Sequence, residues 1–255
     1  MKVGFLAGGL GTRLSEETEI KPKPMVEVGG KPILWHIMKY YAEFDMNEFV
    51  VALGYKGDYI KRWFSDYASL GHDLKIDLSS RTVEQRGEHP EDWTVELVET
   101  GLNTATGGRI KRLQPYLGDD TCMLTWGDGV ADVDLKELLA FHKAHGKLAT
   151  LTAARPAARF GHLELDGDAI TEFSEKPQTA EGWINGAFFV FEPAMFDYIE
   201  GDETQFELEP LMNLAKDGQL MAYKHHGFWQ CMDTIRDKKR LESLWETDAP
   251  WKIWS

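Results

Sequence analysis

Cysteine is scarce in this chain. Cys122 and Cys231 are the only two among 255 residues, too few for a disulfide framework or a cysteine metal cluster. Positive charge is also short: 28 Lys and Arg stand against 42 Asp and Glu, giving a net charge of −14. No basic run exists to displace counterions from a phosphate backbone, which excludes nucleic acid as the expected partner. Long apolar runs are missing as well. VGFLA at Val3–Ala7 runs straight into glycines and is too short for a leader or a membrane span, and no later run is long enough either. A reduced, cytoplasmic compartment with no membrane partner is the expectation.

Apolar residues are nevertheless abundant, at 43% of the chain, enough for one large α/β core. Short buried-strand patterns occur at Val3–Leu6, Phe49–Leu53, Cys122–Trp126 and Ala187–Phe191. Between them lie helical spacings: Ile33, Ile37, Tyr41 and Phe44 after Pro32, a stretch around Asp58–Phe64, and one starting near Leu135 behind Asp134 and Glu137. LKIDL (Leu74–Leu78), TVELV (Thr94–Val98) and ATLTAA read as further strands, and His162–Leu165 with Ala169–Phe173 reads as a hairpin turning at Asp166-Gly167. Two helices are expected around Glu207–Lys216 and Thr234–Trp245. The alternation predicts an α/β fold with a doubly wound, mostly parallel sheet and irregular insertions. No internal repeat or low-complexity linker interrupts it, so residues 1–255 are read as a single domain.

The stretch LAGGLGTRL, Leu6–Leu14, is a phosphate-cradling candidate. It is not a P-loop, because no Gly-Lys-Ser/Thr follows at the required spacing. It falls short of the dinucleotide fingerprint too, since Leu14 stands where the third glycine belongs and no acidic residue follows the second strand. What remains is a run of backbone N–H groups from Leu6, Ala7, Gly8, Gly9, Leu10 and Gly11, the Thr12 hydroxyl and the Arg13 fork, all suited to phosphate oxygens. KPKP then displays Lys21 and Lys23 from a proline-stiffened segment. A solvated basic loop before a helix would explain KPKP alone.

LAGGLGTRL and KPKPMVEVGGKPIL together resemble the signature of the sugar-1-phosphate nucleotidyltransferases. TGGRIKR, WGDGVADVD, RFGHLEL, EKP, INGAFFVF, EPLMNLA, GFWQCMDT and APWKIW extend the resemblance to the C-terminus and resemble its cytidylyltransferase branch. The resemblance implies a Rossmann-like nucleotidyltransferase fold, with residues 1–130 mainly the nucleotide half and 131–255 mainly the sugar-phosphate and oligomer-contact half. It implies CTP and glucose 1-phosphate as substrates, CDP-glucose and pyrophosphate as products, and a homo-oligomer (a hexamer) serving deoxysugar and O-antigen synthesis. UTP or dTTP in place of CTP, and a regulatory subunit without activity, are the alternatives.

Asp128, in GDG after a buried strand, stands where ligands bind in open α/β sheets. Gly127 and Gly129 clear space for a carboxylate to meet Mg²⁺, which takes one or two protein carboxylates plus phosphate oxygens. By resemblance the second metal ligand is Asp233, which equally suits a cap for the helix near Thr234. Resemblance likewise implies Arg13, Lys23 and Asp128 as catalytic, Gly127 with Thr104 and Arg109 around the TATGGR loop as nucleotide contacts, and Glu175, Lys176 and Asn185 as sugar-phosphate ligands. EKP by itself is a common exposed turn. His142 with His145, and His225-His226, lack the partners of a zinc site or a triad. The nine tryptophans are expected to pack core and subunit contacts rather than stack on a base, with Trp126 and Trp229, each beside a candidate carboxylate, as the exceptions.

Overall fold

A computed structural model describes residues 1–87, 91–156, 162–166, 169–174 and 182–254. Its centre is a seven-stranded sheet of β1 (Lys2–Leu6), β2 (Glu48–Leu53), β3 (Thr94–Glu99), β4 (Cys122–Trp126), β5 (Ala149–Ala154), β6 (Ile184–Phe191) and β7 (Leu220–Lys224). The spatial order is β7-β5-β6-β4-β1-β2-β3. All neighbours are parallel except β6, which runs antiparallel to β4 and β5.

Both faces of the central strands are buried, so their sequences read as unbroken apolar runs and the alternation is hidden. Packing restores it. Val3, Phe5, Phe49, Val51, Met123, Phe188 and Val190 join one core cluster, together with the helix α1 (Ile33–Ala42). Leu6, Val50, Ala52, Leu124, Phe189 and Phe191 join the other, with Ile110 and Leu113 of α3 (Thr106–Leu117). The helix α2 (Gly57–Leu70) lies between β2 and β3 in sequence. Next come α4 (Leu135–His145), α5 (Glu209–Lys216) and α6 (Ile235–Thr247). Asp134 Oδ1 caps α4 by accepting from Lys136 N and Glu137 N, each at 2.9 Å.

Several expectations need correcting at this level. The stretch between LKIDL and TVELV contains a second strand, Thr82–Arg86, paired as a hairpin with Asp73–Asp77. TATGGR is not wholly a loop: α3 starts at Thr106, so Gly107, Gly108 and Arg109 are helical. Those glycines let the helix abut the 202–204 backbone. A Cβ at Gly108 would lie 2.5 Å from Asp202 Cα, and one at Gly107 would lie 2.6 Å from Thr204 O. The edge strand β7 and a short strand Trp229–Cys231 were not anticipated.

The chain passes from β1 outward to β2 and β3, then returns to β4 on the other side of β1. The carboxyl ends of β1 and β4 therefore flank the point where strand order reverses, the place ligands favour in such sheets. The glycine loop follows β1 and Asp128 follows β4.

Candidate active site

At that reversal lies a cleft of about 670 Å³. Its walls include the loop from Leu6 to Arg13, then Lys23, Thr104, Arg109, Gly127, Asp128 and Asp233. Gly11 adopts φ +64°, the left-handed conformation that favours glycine, and so turns the loop into the short helix Thr12–Leu14. Gly9 has open space around its α-carbon. The loop thus presents backbone rather than side chains to the cleft.

KPKP separates its two lysines. Lys21 turns to Glu27 at 3.0 Å, whereas Lys23 enters the site from a 3₁₀ turn over Lys23–Met25. The Lys23 ammonium meets Asp128 Oδ2 at 2.6 Å and Asp233 Oδ1 at 2.5 Å, and Arg13 Nη1 meets Asp233 Oδ2 at 2.9 Å. Burial alone would lower the Lys23 pKa, but the Asp128 and Asp233 carboxylates outweigh it and hold the ammonium above its usual range.

Asp233 reaches this place because Trp229–Cys231 pairs antiparallel with Gly129–Ala131, and Met232 N donates to Asp128 O at 2.8 Å. It does not cap α6. Thr234 does so, in a reciprocal capping box with Asp237. Trp126 lines the cleft and stacks on Phe189, and Trp229 donates from Nε1 to Gly186 O at 2.8 Å. Cys231, with Sγ 3.8 Å from Asp233 Oδ2, is pushed up to about 12 by burial and by the neighbouring carboxylates.

Arg109 lies under the glycine loop rather than reaching outward. It is 5% exposed, and Nη1 donates to Leu53 O at 3.0 Å, Thr100 Oγ1 at 2.7 Å and Gly101 O at 2.7 Å, while Nη2 donates to Leu102 O at 3.0 Å. Gly8 and Gly54 admit it, since a Cβ at either would lie within 2.4 Å of Nη1. The guanidinium therefore bonds the ends of β2 and β3 to each other and packs beneath Gly8, just after β1.

On the expected sugar side, Asn185 is exposed at the start of β6, and its Oδ1 accepts from Ala187 N at 2.8 Å. Glu175 and Lys176 lie outside the described residues. Two further lining residues, Gln205 and Glu207, escaped the sequence reading. They come from a connection about a hundred residues beyond the TGGR segment, and no local pattern marks them.

His142 and His225 have structural partners. His142 contacts Thr150 Oγ1 and Glu192 Oε1, and His225 contacts Asp132 Oδ1 and Phe228 O. Among the described residues no group of three His, Cys, Asp or Glu is placed to hold a metal by itself, and no helix is long and apolar enough to cross a membrane.

Comparison with known proteins agrees with this architecture. Residues 4–245 match the family model described as nucleotidyl transferase. A glucose-1-phosphate cytidylyltransferase of Salmonella typhi is 53% identical over 256 residues, covering all of both chains. The mannose-1-phosphate guanylyltransferase catalytic subunit beta of Dictyostelium discoideum is 31% identical over 96% of this chain and 64% of its own. Among solved structures, HddC from Yersinia pseudotuberculosis superposes with a TM-score of 0.71 at 24% identity, covering 96% of this chain and 99% of that one, which supports the fold. A glycine loop and a lysine-bridged carboxylate pair at the strand-order reversal, inside a match that spans nearly the whole chain, make this protein a member of the nucleotidyl transferase family.

Proposed function

We propose that the chain transfers a cytidylyl group from CTP to α-D-glucose 1-phosphate, releasing pyrophosphate. The observation that carries the chemistry is the single Lys23 ammonium held between Asp128 and Asp233, with Arg13 on the second carboxylate. The choice of base and sugar follows the full-length similarity to the Salmonella typhi protein.

The attacking group in such a transfer is a phosphate oxygen, already anionic at neutral pH, so no general base is needed. The barrier lies in aligning two anions while a third departs, and fixed positive charge lowers it. Lys23 and Arg13 supply that charge beside the loop amides. The carboxylates fit Mg²⁺: both already converge on one cation, and magnesium prefers one or two carboxylates completed by phosphate oxygens and water to an all-protein cage. Asp128 and Asp233 would hold it, and once bound it would neutralise and orient nucleotide phosphate oxygens. Thr104 and the backbone over Arg109 would border the nucleotide, while Lys176 with Glu175 and Asn185 would orient the acceptor.

Pyrophosphate release with glucose 1-phosphate and CTP, UTP or dTTP in competition tests the reading. CTP is expected to be preferred. Lys23→Ala and Asp128→Ala are each expected to lose on the order of 3 kcal/mol of transition-state stabilisation, about a hundredfold in turnover. Folded variants with wild-type turnover would refute the roles, and preference for UTP or dTTP would refute the base.

A further inference from the structure

Among the described residues three acidic ones line the cleft: Asp128, Asp233 and Glu207. The first two are compensated by Lys23 and Arg13. Glu207 is different. Its partner is the Thr106 hydroxyl, which donates to Oε2 at 2.6 Å, and no lysine or arginine among the described residues pairs with it. Glu207 is exposed, so water serves its free oxygen until a ligand covers it. A ligand that displaces this water must supply a donor in its place, because an ionised carboxylate only accepts. Phosphates at neutral pH offer none; the donors the substrates bring are an amino group on the base and the hydroxyls of ribose and glucose.

Thr106 also fixes which way the group can read. Its Oγ1 accepts the Phe206 N–H at 2.9 Å, which commits the hydroxyl proton to Glu207. One carboxylate oxygen is held at the first turn of α3, and the other is left as an acceptor for the ligand. We propose that Glu207 reads the base. Its second oxygen accepts from an exocyclic amino group, as cytosine carries, and opposes a base with a carbonyl oxygen at that position, as uracil and thymine carry. The phosphate-facing groups cannot make this distinction, since they meet only what all nucleotides share. The inference rests on the cytidylyl reading above.

Glu207→Gln supplies a sharp test, because Thr106 orients the new amide. The hydroxyl would still donate to the side-chain oxygen, leaving the –NH2 to face the ligand. An acceptor becomes a donor, and the preference should shift towards uracil and thymine. The ratio of kcat/KM for CTP to that for UTP, with glucose 1-phosphate as co-substrate, is expected to fall by about ten- to a hundredfold, the range of one base contact. Part of that change should be a gain on UTP. Thr106→Val, which removes the orienting hydroxyl, is expected to weaken CTP preference without the gain on UTP. Equal losses on CTP and UTP in Glu207→Gln would assign the carboxylate to the ribose or glucose hydroxyls that both reactions share and overturn the proposal. A wild-type protein that prefers UTP overturns the cytidylyl reading and this one together. A wild-type CTP preference that survives Glu207→Gln unchanged overturns only the role of Glu207.

Discussion

Acidification should weaken this protein, chiefly through a buried residue outside the cleft lining, His36. Its ring is fully buried among Trp245, Trp35, Trp254 and Trp251, at centroid distances of 4.8, 5.2, 6.1 and 6.2 Å. Trp251 Nε1 donates to Nδ1 at 3.4 Å and Nε2 lies 2.8 Å from Val28 O. Nδ1 is therefore an acceptor and Nε2 the donor, the neutral tautomer. Burial lowers the pKa from 6.5 to about 4, despite the hydrogen bond to Val28 that favours the proton. Between those values the unfolded chain binds a proton that the folded one refuses, so stability rises with pH there and is lost as pH falls through 6.5. The full loss is about 3 kcal/mol, of which about 2 is gone at pH 5 relative to pH 8. Urea unfolding followed by tryptophan emission at pH 8, 7, 6 and 5 measures it. Burial also lowers the pKa of His142 and His145, so their contribution has the same sign. The decisive quantity is the slope of wild type minus that of His36→Gln. That variant keeps a donor for Val28 O and cannot titrate. If the two slopes superimpose, the argument for His36 is wrong.

Two further perturbations probe the scaffold of the site. Gly8→Ala and Gly54→Ala each direct a methyl group at the same Arg109 nitrogen, so each should cost at least about 2 kcal/mol in charged hydrogen bonds. Their effects should fall well short of additive in the double variant, because one displacement serves both, and additive losses by chemical denaturation would refute a shared cause. Asp134→Ala should cost about 1 kcal/mol as α4 loses its cap, while Asp134→Asn should cost far less. Equal melting temperatures for the two variants would show that the cap contributes nothing.

That Arg13, Lys23 and Asp128 belong together was legible from sequence because each is marked by its own local pattern. Arg13 follows the glycines, Lys23 follows within ten residues, and Asp128 sits directly behind a buried strand. Asp233 was legible only by resemblance, since its approach depends on Trp229–Cys231 pairing with a strand a hundred residues earlier. The helical start at Thr106 was hidden because adjacent glycines cost about 1 kcal/mol each in a helix. Only the tertiary contact with 202–204 explains them. The strand Thr82–Arg86 is exposed throughout and carries no alternation to detect. The core half of the tryptophan expectation fits the packing, with Trp251 buried and Trp245 against the core, although the chemistry they impose on His36 needed the fold.

The Arg109 clasp also determines what can move. One guanidinium bonds the segments that leave β2 and β3 and lies directly beneath Gly8, so these three segments cannot shift independently. Farther along the glycine loop, Thr18 donates to Gly11 O and Leu14 O, while Lys238 pairs with Glu17 and Tyr55 donates to Thr18 O. Freedom is left to the exposed tip between these anchors, around Gly9, Leu10 and Thr12. Movement of the glycine loop over a ligand is therefore a flexing of a few backbone units on this anchored floor.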